Sequence, residues 1–139
     1  MTINQVNKLS LIIFISQLYL FGLGQVPAEQ NLKTNTIKIQ DQKGNLVLNI
    51  NYQNKCIIDY VETLGHTVIA NHQGVFSSIK SNGNLFTTSS GIPVPKVIIE
   101  GDQVIIDEII FGERETRVLE KWIFHTYPDY IDWTIERTY

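Results

Sequence analysis

Residues 116–139 read TRVLEKWIFHTYPDYIDWTIERTY, and they show the clearest alternation of apolar and polar side chains in the chain. Such alternation indicates half-buried strands, because successive side chains of a β-strand point to opposite faces. The pattern predicts a hairpin of two strands, 116–125 and 130–139, with one apolar and one charged face. The predicted register pairs Phe124 with Ile131, Trp122 with Trp133, and Glu120 with Ile135.

Two charged residues, Glu120 and Arg137, fall on the apolar face of this hairpin. The predicted register places them at diagonal positions, within reach of each other. A carboxylate that is buried in a protein requires a partner, and a guanidinium group is well suited to that role. We therefore predict that Glu120 and Arg137 form a structural pair.

The preceding sequence continues the pattern of short strands and turns. Gly101-Asp102 separates the apolar runs 96–100 and 103–111, which predicts a hairpin with a type II′ turn and Lys96 opposite Asp107. Both faces of this hairpin are apolar, so we expect it to be covered on both sides. Asn82-Gly83 predicts another hairpin.

Residues 36–139 are therefore expected to form one all-β domain, an antiparallel β-sandwich of roughly nine to eleven strands. Before the last two hairpins, separate strands are predicted at 67–70 and 74–80, and the second of these is the first strand of the Asn82-Gly83 hairpin. The polar segment 25–35 is assigned to a lead-in that precedes the domain.

The N-terminal segment 1–24 has the features of a signal peptide. Lys8 is followed by the uncharged apolar run 9–23, and the small residues of Gly22-Leu23-Gly24 suit cleavage after Gly24. The alternative is an uncleaved anchor, although no positive cluster follows the run to fix it. The sequence thus predicts export to the periplasm or the cell exterior, with no membrane attachment after cleavage.

Charge and cysteine content exclude several classes of protein. The net charge is −3, which argues against a nucleic-acid partner because such proteins need a concentrated basic patch. The single cysteine, Cys56, cannot form a disulfide within the chain. Its apolar flank predicts a small buried side chain in a strand.

The residues that could support chemistry do not form a recognisable motif. The histidines lack the converging ligands of a zinc site, and no nucleophile motif is present. The acids could in principle include a glycosidase pair, but those in turns are more simply solvated residues and Glu120 already has a structural partner. The residues concerned are His66, His72, His125, Glu113, Glu115, Glu120, Asp129 and Asp132. The sequence predicts no catalytic residue, no cofactor and no metal. Tyr127 and Tyr130, next to an exposed loop, are better candidates for binding a sugar ring.

Five segments together resemble a known family. They are HQGVFSS at 72–78, FTT at 86–88, VPKV at 94–97, EKWIF at 120–124 and IDWTIERTY at 131–139. Their order resembles the N-terminal β-sandwich domain, a galactose-mutarotase-like supersandwich, that precedes the (α/α)6 catalytic barrel in secreted bacterial glycoside hydrolases of the six-hairpin type. The resemblance covers most of residues 36–139.

The resemblance implies a non-catalytic module of an exported carbohydrate-active enzyme, with the catalytic acids in a C-terminal domain that this chain lacks. The module would pack on that domain and shape one wall of a cleft for an oligosaccharide or polysaccharide. Tyr127, Asp129 and Tyr130 are the candidate wall residues. The strand 130–139 continues to the last residue, which predicts a truncated domain.

Two alternatives remain open, a free-standing carbohydrate-binding module and a structural β-sandwich of the cell surface. The outer face of the last hairpin distinguishes among the three. An apolar patch there would indicate a missing domain or partner, and a row of tyrosines would indicate sugar binding.

Overall fold

The computed structural model describes residues 28–139, with Asn71 and His72 described only in their backbone. The predicted signal peptide, 1–24, lies outside the described residues. In the described part, no helix is long and apolar enough to cross a membrane.

The described residues are almost entirely β-structure. One short 3-10 helix, Arg114–Thr116, precedes the tenth of eleven strands. The strands are β1 (Ala28–Asn31), β2 (Thr36–Gln40), β3 (Leu46–Asn51), β4 (Ile57–Thr63), β5 (His66–Val75), β6 (Ser78–Ser81), β7 (Asn84–Thr87), β8 (Lys96–Glu100), β9 (Gln103–Phe111), β10 (Val118–Thr126) and β11 (Ile131–Thr138).

The strands form two main sheets in which every neighbouring pair is antiparallel. One sheet has the order β1-β2-β3-β4-β5, the other has the order β11-β10-β9-β8, and β6 and β7 form a separate hairpin. Apolar side chains of both sheets belong to a single buried cluster. Its largest fully buried members include Trp122, Tyr52, Phe124, Ile37, Ile39 and Ile106. The all-β, antiparallel sandwich predicted from the sequence is confirmed.

Two predicted hairpins have the expected turns. In the β8–β9 hairpin Lys96 lies opposite Asp107, and Gly101 has φ +59°, as the first position of a type II′ turn requires. In the β6–β7 hairpin Asn82 and Gly83 both have positive φ, at +50° and +82°, which is the signature of a type I′ turn.

The β10–β11 hairpin forms, but its predicted register is wrong by two residues. The observed pairs are Thr126 with Ile131, Phe124 with Trp133, Trp122 with Ile135, and Glu120 with Arg137. β10 extends one residue further than expected because the Thr126 amide and hydroxyl both donate to the Asp102 carbonyl oxygen, at 2.9 and 3.1 Å. A shift of two residues leaves every side chain on its predicted face, so the apolar face survives the error.

The first half of the sandwich departs from the sequence prediction in two places. The segment assigned to the lead-in contains β1, whose residues pair with β2 from Ala28 opposite Ile39 onward. The two short strands expected at 67–70 and 74–80 are replaced by one ten-residue strand, β5, followed by β6. The pairing of β4 with β5 contains two register irregularities. Such irregularities interrupt the regular alternation of inward and outward side chains, and the sequence prediction depends on that alternation.

Leu64 occupies an unfavourable backbone conformation in the turn between β4 and β5. It has φ +50° and the following Gly65 has φ +77°, which corresponds to a type I′ turn. Non-glycine residues other than Asn and Asp rarely adopt this conformation, and Leu64 is also 70% exposed.

We predict that Leu64→Asn raises the free energy of unfolding by about 1 kcal/mol, because asparagine tolerates positive φ and removes an exposed apolar side chain. Chemical denaturation of the two proteins measures the difference. Leu85→Asn is the control, since Leu85 is similarly exposed at 64% but is not among the residues with positive φ. An equal gain in both variants would mean that turn strain is not the cause.

Candidate functional site

A fully buried carboxylate lies between the two sheets. Glu120 has no exposed surface, and its side chain points to the core because it alternates with outward residues of β10. Arg137 lies directly opposite it on β11, instead of the diagonal position expected from the sequence. Arg137 Nε donates to Glu120 Oε1 at 2.7 Å, and a terminal guanidinium nitrogen forms an ion pair with the same oxygen at 2.6 Å.

Two further groups satisfy the Glu120 carboxylate. The Ser77 hydroxyl donates to Oε1 at 2.6 Å, and the Trp122 indole Nε1–H donates to Oε2 at 2.9 Å. The Arg137 guanidinium also donates to the Ser77 oxygen at 2.6 Å. The carboxylate therefore joins β10, the edge strand β11 and the residue preceding β6.

A second set of hydrogen bonds connects this cluster to Cys56, the residue that directly precedes β4. The Thr88 hydroxyl accepts from the Ser77 amide at 3.1 Å and donates to the Cys56 carbonyl at 2.7 Å. The Thr88 backbone bonds to the same two residues. Its amide donates to the Ser77 carbonyl at 2.9 Å, and its carbonyl accepts from the Cys56 amide at 2.7 Å. The hairpin β6–β7 is thus attached to both main sheets by buried polar groups.

The thiol of Cys56 lies close enough to be affected by this cluster. Cys56 is fully buried, as the sequence predicted, and it is a free cysteine. Burial raises the pKa of its thiol, and the negative charge of Glu120 raises it further. A thiol of this kind stays protonated and is a poor nucleophile.

The buried cluster has the chemistry of a structural support. A general base must be able to accept a proton from a substrate, but the Glu120 oxygens already accept hydrogen bonds from Ser77, Arg137 and Trp122. Tyr139 and Glu120 raise the pKa of the Arg137 guanidinium, with partial burial opposing them, so this group remains a cation. The third member of the cluster, Ser77, is also buried, with only 7% of its surface exposed to solvent.

A second cluster, which we call the tyrosine loop, comprises residues 127–130 between β10 and β11. The Tyr127 amide donates to the Tyr130 carbonyl at 2.9 Å and closes the loop. The two rings stack with centroids 4.4 Å apart and planes inclined by 14°. Tyr127 is 37% exposed and Tyr130 is 53% exposed, so the pair presents aromatic surface to solvent.

The turn between β2 and β3, which belongs to the opposite sheet, holds the tyrosine loop in place. The Gln42 amide donates to the Tyr127 carbonyl at 3.0 Å, and the Gln42 side chain donates to the Thr126 carbonyl at 3.1 Å. Lys43 forms an ion pair with Asp129, and both side chains are largely exposed. The loop is therefore supported from both sheets of the sandwich.

Asp41 organises the supporting turn. Its side chain is almost completely buried, and Oδ1 accepts hydrogen bonds from the amides of Asn45 and Leu46 at 2.7 and 3.2 Å. Within the described residues Oδ2 has no hydrogen-bond partner. These bonds fix the direction in which Gln42 and Lys43 approach the tyrosine loop.

The structure brings the three candidate wall residues, Tyr127, Asp129 and Tyr130, into one exposed loop. Sequence reasoning missed the residues that support them, Gln42 and Lys43. Asp41, Lys43 and Gly44 are typical of a turn, but nothing in the sequence indicates that this turn meets a loop more than eighty residues away. Ser77 and Thr88 of the buried cluster were missed for the same reason.

The described side chains among the histidines and acids weighed as catalytic or metal-binding groups form no metal-binding cluster. Among the side chains that the structure describes, which exclude those of Asn71 and His72, no group of three or more His, Cys, Asp or Glu could hold a metal ion. His125 shares a hydrogen bond between its Nε2 and the Gln103 side chain at 2.9 Å, on the outer face of the four-stranded sheet.

The outer face of the last hairpin carries charged, polar and apolar side chains. It carries an ion pair between Lys121 and Glu136, at 3.5 Å, and the polar residues Asp132 and Thr134. Leu119 is 43% exposed at one end. Within the described residues, the middle of this face is therefore polar, and apolar surface is exposed at the end where Ile110, Leu119 and Tyr139 line one pocket. The strand residues of this face include no tyrosine.

Comparisons with family models, with curated proteins and with solved structures gave no match for this chain.

We predict that Glu120→Gln lowers the free energy of unfolding by about 2–4 kcal/mol. An amide keeps the size of the side chain but removes its charge, and its NH2 group would face either the Trp122 donor or the Ser77 and Arg137 donors. Glu136→Gln on the neighbouring strand is the matched control and should cost no more than about 1 kcal/mol, because the Lys121–Glu136 pair is exposed. Denaturant unfolding measures both, and equal small losses would show that the buried carboxylate is not a major support.

Proposed function

We propose that this chain is a non-catalytic β-sandwich module of an exported carbohydrate-active enzyme, and that the tyrosine loop contacts an oligosaccharide or polysaccharide. The observation that carries the proposal is the exposed, stacked pair of Tyr127 and Tyr130 on a loop supported from both sheets. The resemblance of the sequence to the N-terminal domain of glycoside hydrolases is the reason for proposing a carbohydrate as the ligand.

Aromatic rings suit this role for a physical reason. A tyrosine offers a large rigid apolar surface and a hydroxyl that reaches water, so it can cover the apolar face of a sugar ring while keeping its polar end solvated. It also loses little conformational entropy on binding, because it has few rotatable bonds. The stack of Tyr127 on Tyr130 restricts both rings before any ligand arrives.

Polar groups beside the rings could fix the orientation of a sugar. Asp129 supplies carboxylate oxygens that accept from hydroxyls, and Lys43 supplies ammonium donors. Both side chains are more than half exposed, so a ligand could reach them without rearrangement of the sandwich. A binding site with one apolar surface and a few polar groups is typical of small-molecule recognition.

The resemblance assigns the module a partner, the C-terminal catalytic domain of the parent enzyme. A second candidate function, a free-standing carbohydrate-binding module, is favoured by the outer face of β10 and β11. The Lys121–Glu136 pair and the neighbouring polar residues make the middle of this face polar, which does not favour the packing of a catalytic domain there.

We predict that a panel of oligosaccharides contains at least one that binds the full chain, and that Tyr130→Ala weakens this binding by about tenfold or more. Loss of a well-packed aromatic contact commonly costs about 1–3 kcal/mol, and each 1.4 kcal/mol is tenfold in affinity. Titration calorimetry or changes in tyrosine fluorescence measure the affinity.

Tyr139→Ala is the control for this experiment. Tyr139 is 83% exposed and follows β11 at the end away from the tyrosine loop, so its loss should leave sugar affinity unchanged. Equal effects of the two substitutions would mean that the sugar binds elsewhere, and failure of every oligosaccharide in the panel would count against a saccharide-binding role.

A further inference from the structure

The edge strand β8 has an unusual combination of features. It consists of Lys96, Val97, Ile98, Ile99 and Glu100, and it ends the order β11-β10-β9-β8. Its three apolar side chains are all partly exposed. An exposed apolar edge is a site at which another strand can add, because its outward backbone groups are unpaired.

The pairing of β8 with β9 determines which backbone groups point outward. A two-residue hairpin is closed by a hydrogen-bonded pair, here Glu100 with Gln103, and such pairs alternate along the ladder. The amides and carbonyls of Lys96, Ile98 and Glu100 therefore point toward β9, whereas those of Val97 and Ile99 point away from the sheet. In the described residues neither Val97 nor Ile99 makes a backbone hydrogen bond beyond the strand pairing.

This arrangement is self-complementary. If a second copy of β8 lies antiparallel to the first, with Ile98 opposite Ile98, then Val97 of each copy faces Ile99 of the other. All the outward amides and carbonyls are then paired, four hydrogen bonds in total by the antiparallel ladder geometry. Registers centred on Val97 or on Ile99 pair fewer of the outward amides and carbonyls. The register centred on Val97 also places Ile99 opposite Pro95, which lacks an amide hydrogen.

The same register matches charges. Lys96 of each copy lies opposite Glu100 of the other, so two oppositely charged cross-strand pairs form about the two-fold axis. In the described residues neither Lys96 nor Glu100 forms a salt bridge within its own chain. Both residues are exposed and are therefore available to a partner.

The other edge of the same sheet lacks this property. In β11 the inward-facing residues have outward backbone groups, because Tyr127 and Tyr130 close the β10–β11 loop. The register that pairs the most of these groups is centred on Thr134, and it places Asp132 opposite Glu136 twice. Like charges in directly opposite positions destabilise a strand pair.

We infer that two copies of this chain associate through β8, antiparallel and edge to edge, with a two-fold axis at Ile98. The two four-stranded sheets join into one continuous sheet of eight strands, by the symmetry of a closed pair. The half-exposed Val97 and Ile99 gain apolar neighbours from the other copy. This inference is independent of the proposed saccharide contact, because β8 contains none of the residues of the tyrosine loop.

Charge reversal at β8 tests the inference. Glu100→Lys places a lysine opposite Lys96 of the other copy, so two like-charged pairs form about the axis. It should raise the dissociation constant of the dimer by about 10- to 100-fold. The double variant Lys96→Glu with Glu100→Lys restores both oppositely charged pairs and should recover most of the affinity. Glu29→Lys, an exposed reversal on the edge strand β1 of the other sheet, is the control and should leave the dimer unchanged.

A second variant removes one outward amide donor from each copy without changing the charge. Val97→Pro deletes an amide that points away from β9, so the hairpin tolerates it while the dimer loses two symmetry-related donors. Sedimentation of the full chain, in the processed form that the expression host yields, measures the mass over a range of concentrations. Circular dichroism checks that each variant remains folded.

The expected result is a concentration-dependent dimer that Glu100→Lys weakens, the double variant recovers and Val97→Pro abolishes. A monomer at every concentration would overturn the inference. So would a dimer whose affinity Glu100→Lys leaves unchanged, since that dimer would use another surface. If Val97→Pro does not fold, the pair of charge variants decides the outcome.

Discussion

The burial of one carboxylate is the constraint on which the rest of this sandwich depends. Glu120 is fully enclosed, and an ionised group in such a place costs several kcal/mol unless its oxygens are paired. Its partners come from three separate parts of the chain: Ser77 before β6, Trp122 on β10 and Arg137 on β11. Each of these elements must therefore be in its final position before the carboxylate is satisfied. The cluster fixes the edge strand β11 and, through Thr88 and Cys56, the small hairpin that joins the two sheets.

Because the Glu120 cluster supports the sandwich from inside, the loops at its ends and the strands at its edges are not needed for that support. The tyrosine loop lies at one end, where the β2–β3 turn holds it through Gln42 and Lys43. The edge strand β8 lies on the far side of the same sheet from β11. Loops and edges of this kind carry function in many β-sandwiches because substitutions there leave the core intact. Both of our proposals concern such positions, and neither uses a residue of the buried cluster.

The sequence predicted those features that depend on short-range patterns. Gly101-Asp102 determined the β8–β9 register because a two-residue type II′ turn leaves only one pairing, and that register is observed. The four-residue loop before β11 allowed more than one closure, so the register there was wrong by two residues. Its apolar face was still correct, because alternation has a period of two. The strand β1 was missed because its residues Glu29, Gln30 and Asn31 are polar, and its pairing with β2 is a tertiary effect. The supports of the tyrosine loop could not be predicted, since they join residues far apart in sequence.

The most direct test of the account is native-state hydrogen exchange at the amides of Cys56 and Thr88, which connect the β6–β7 hairpin to the sheets. If the buried cluster makes this hairpin part of one cooperative unit, both amides exchange only through global unfolding. Their free energies of exchange then equal the free energy of unfolding from denaturation. Exchange of these amides through a local opening of much lower free energy, while the amides of β9 and β10 stay protected, would contradict the account. The hairpin would then be an independent attachment, and the Glu120 cluster would not support it.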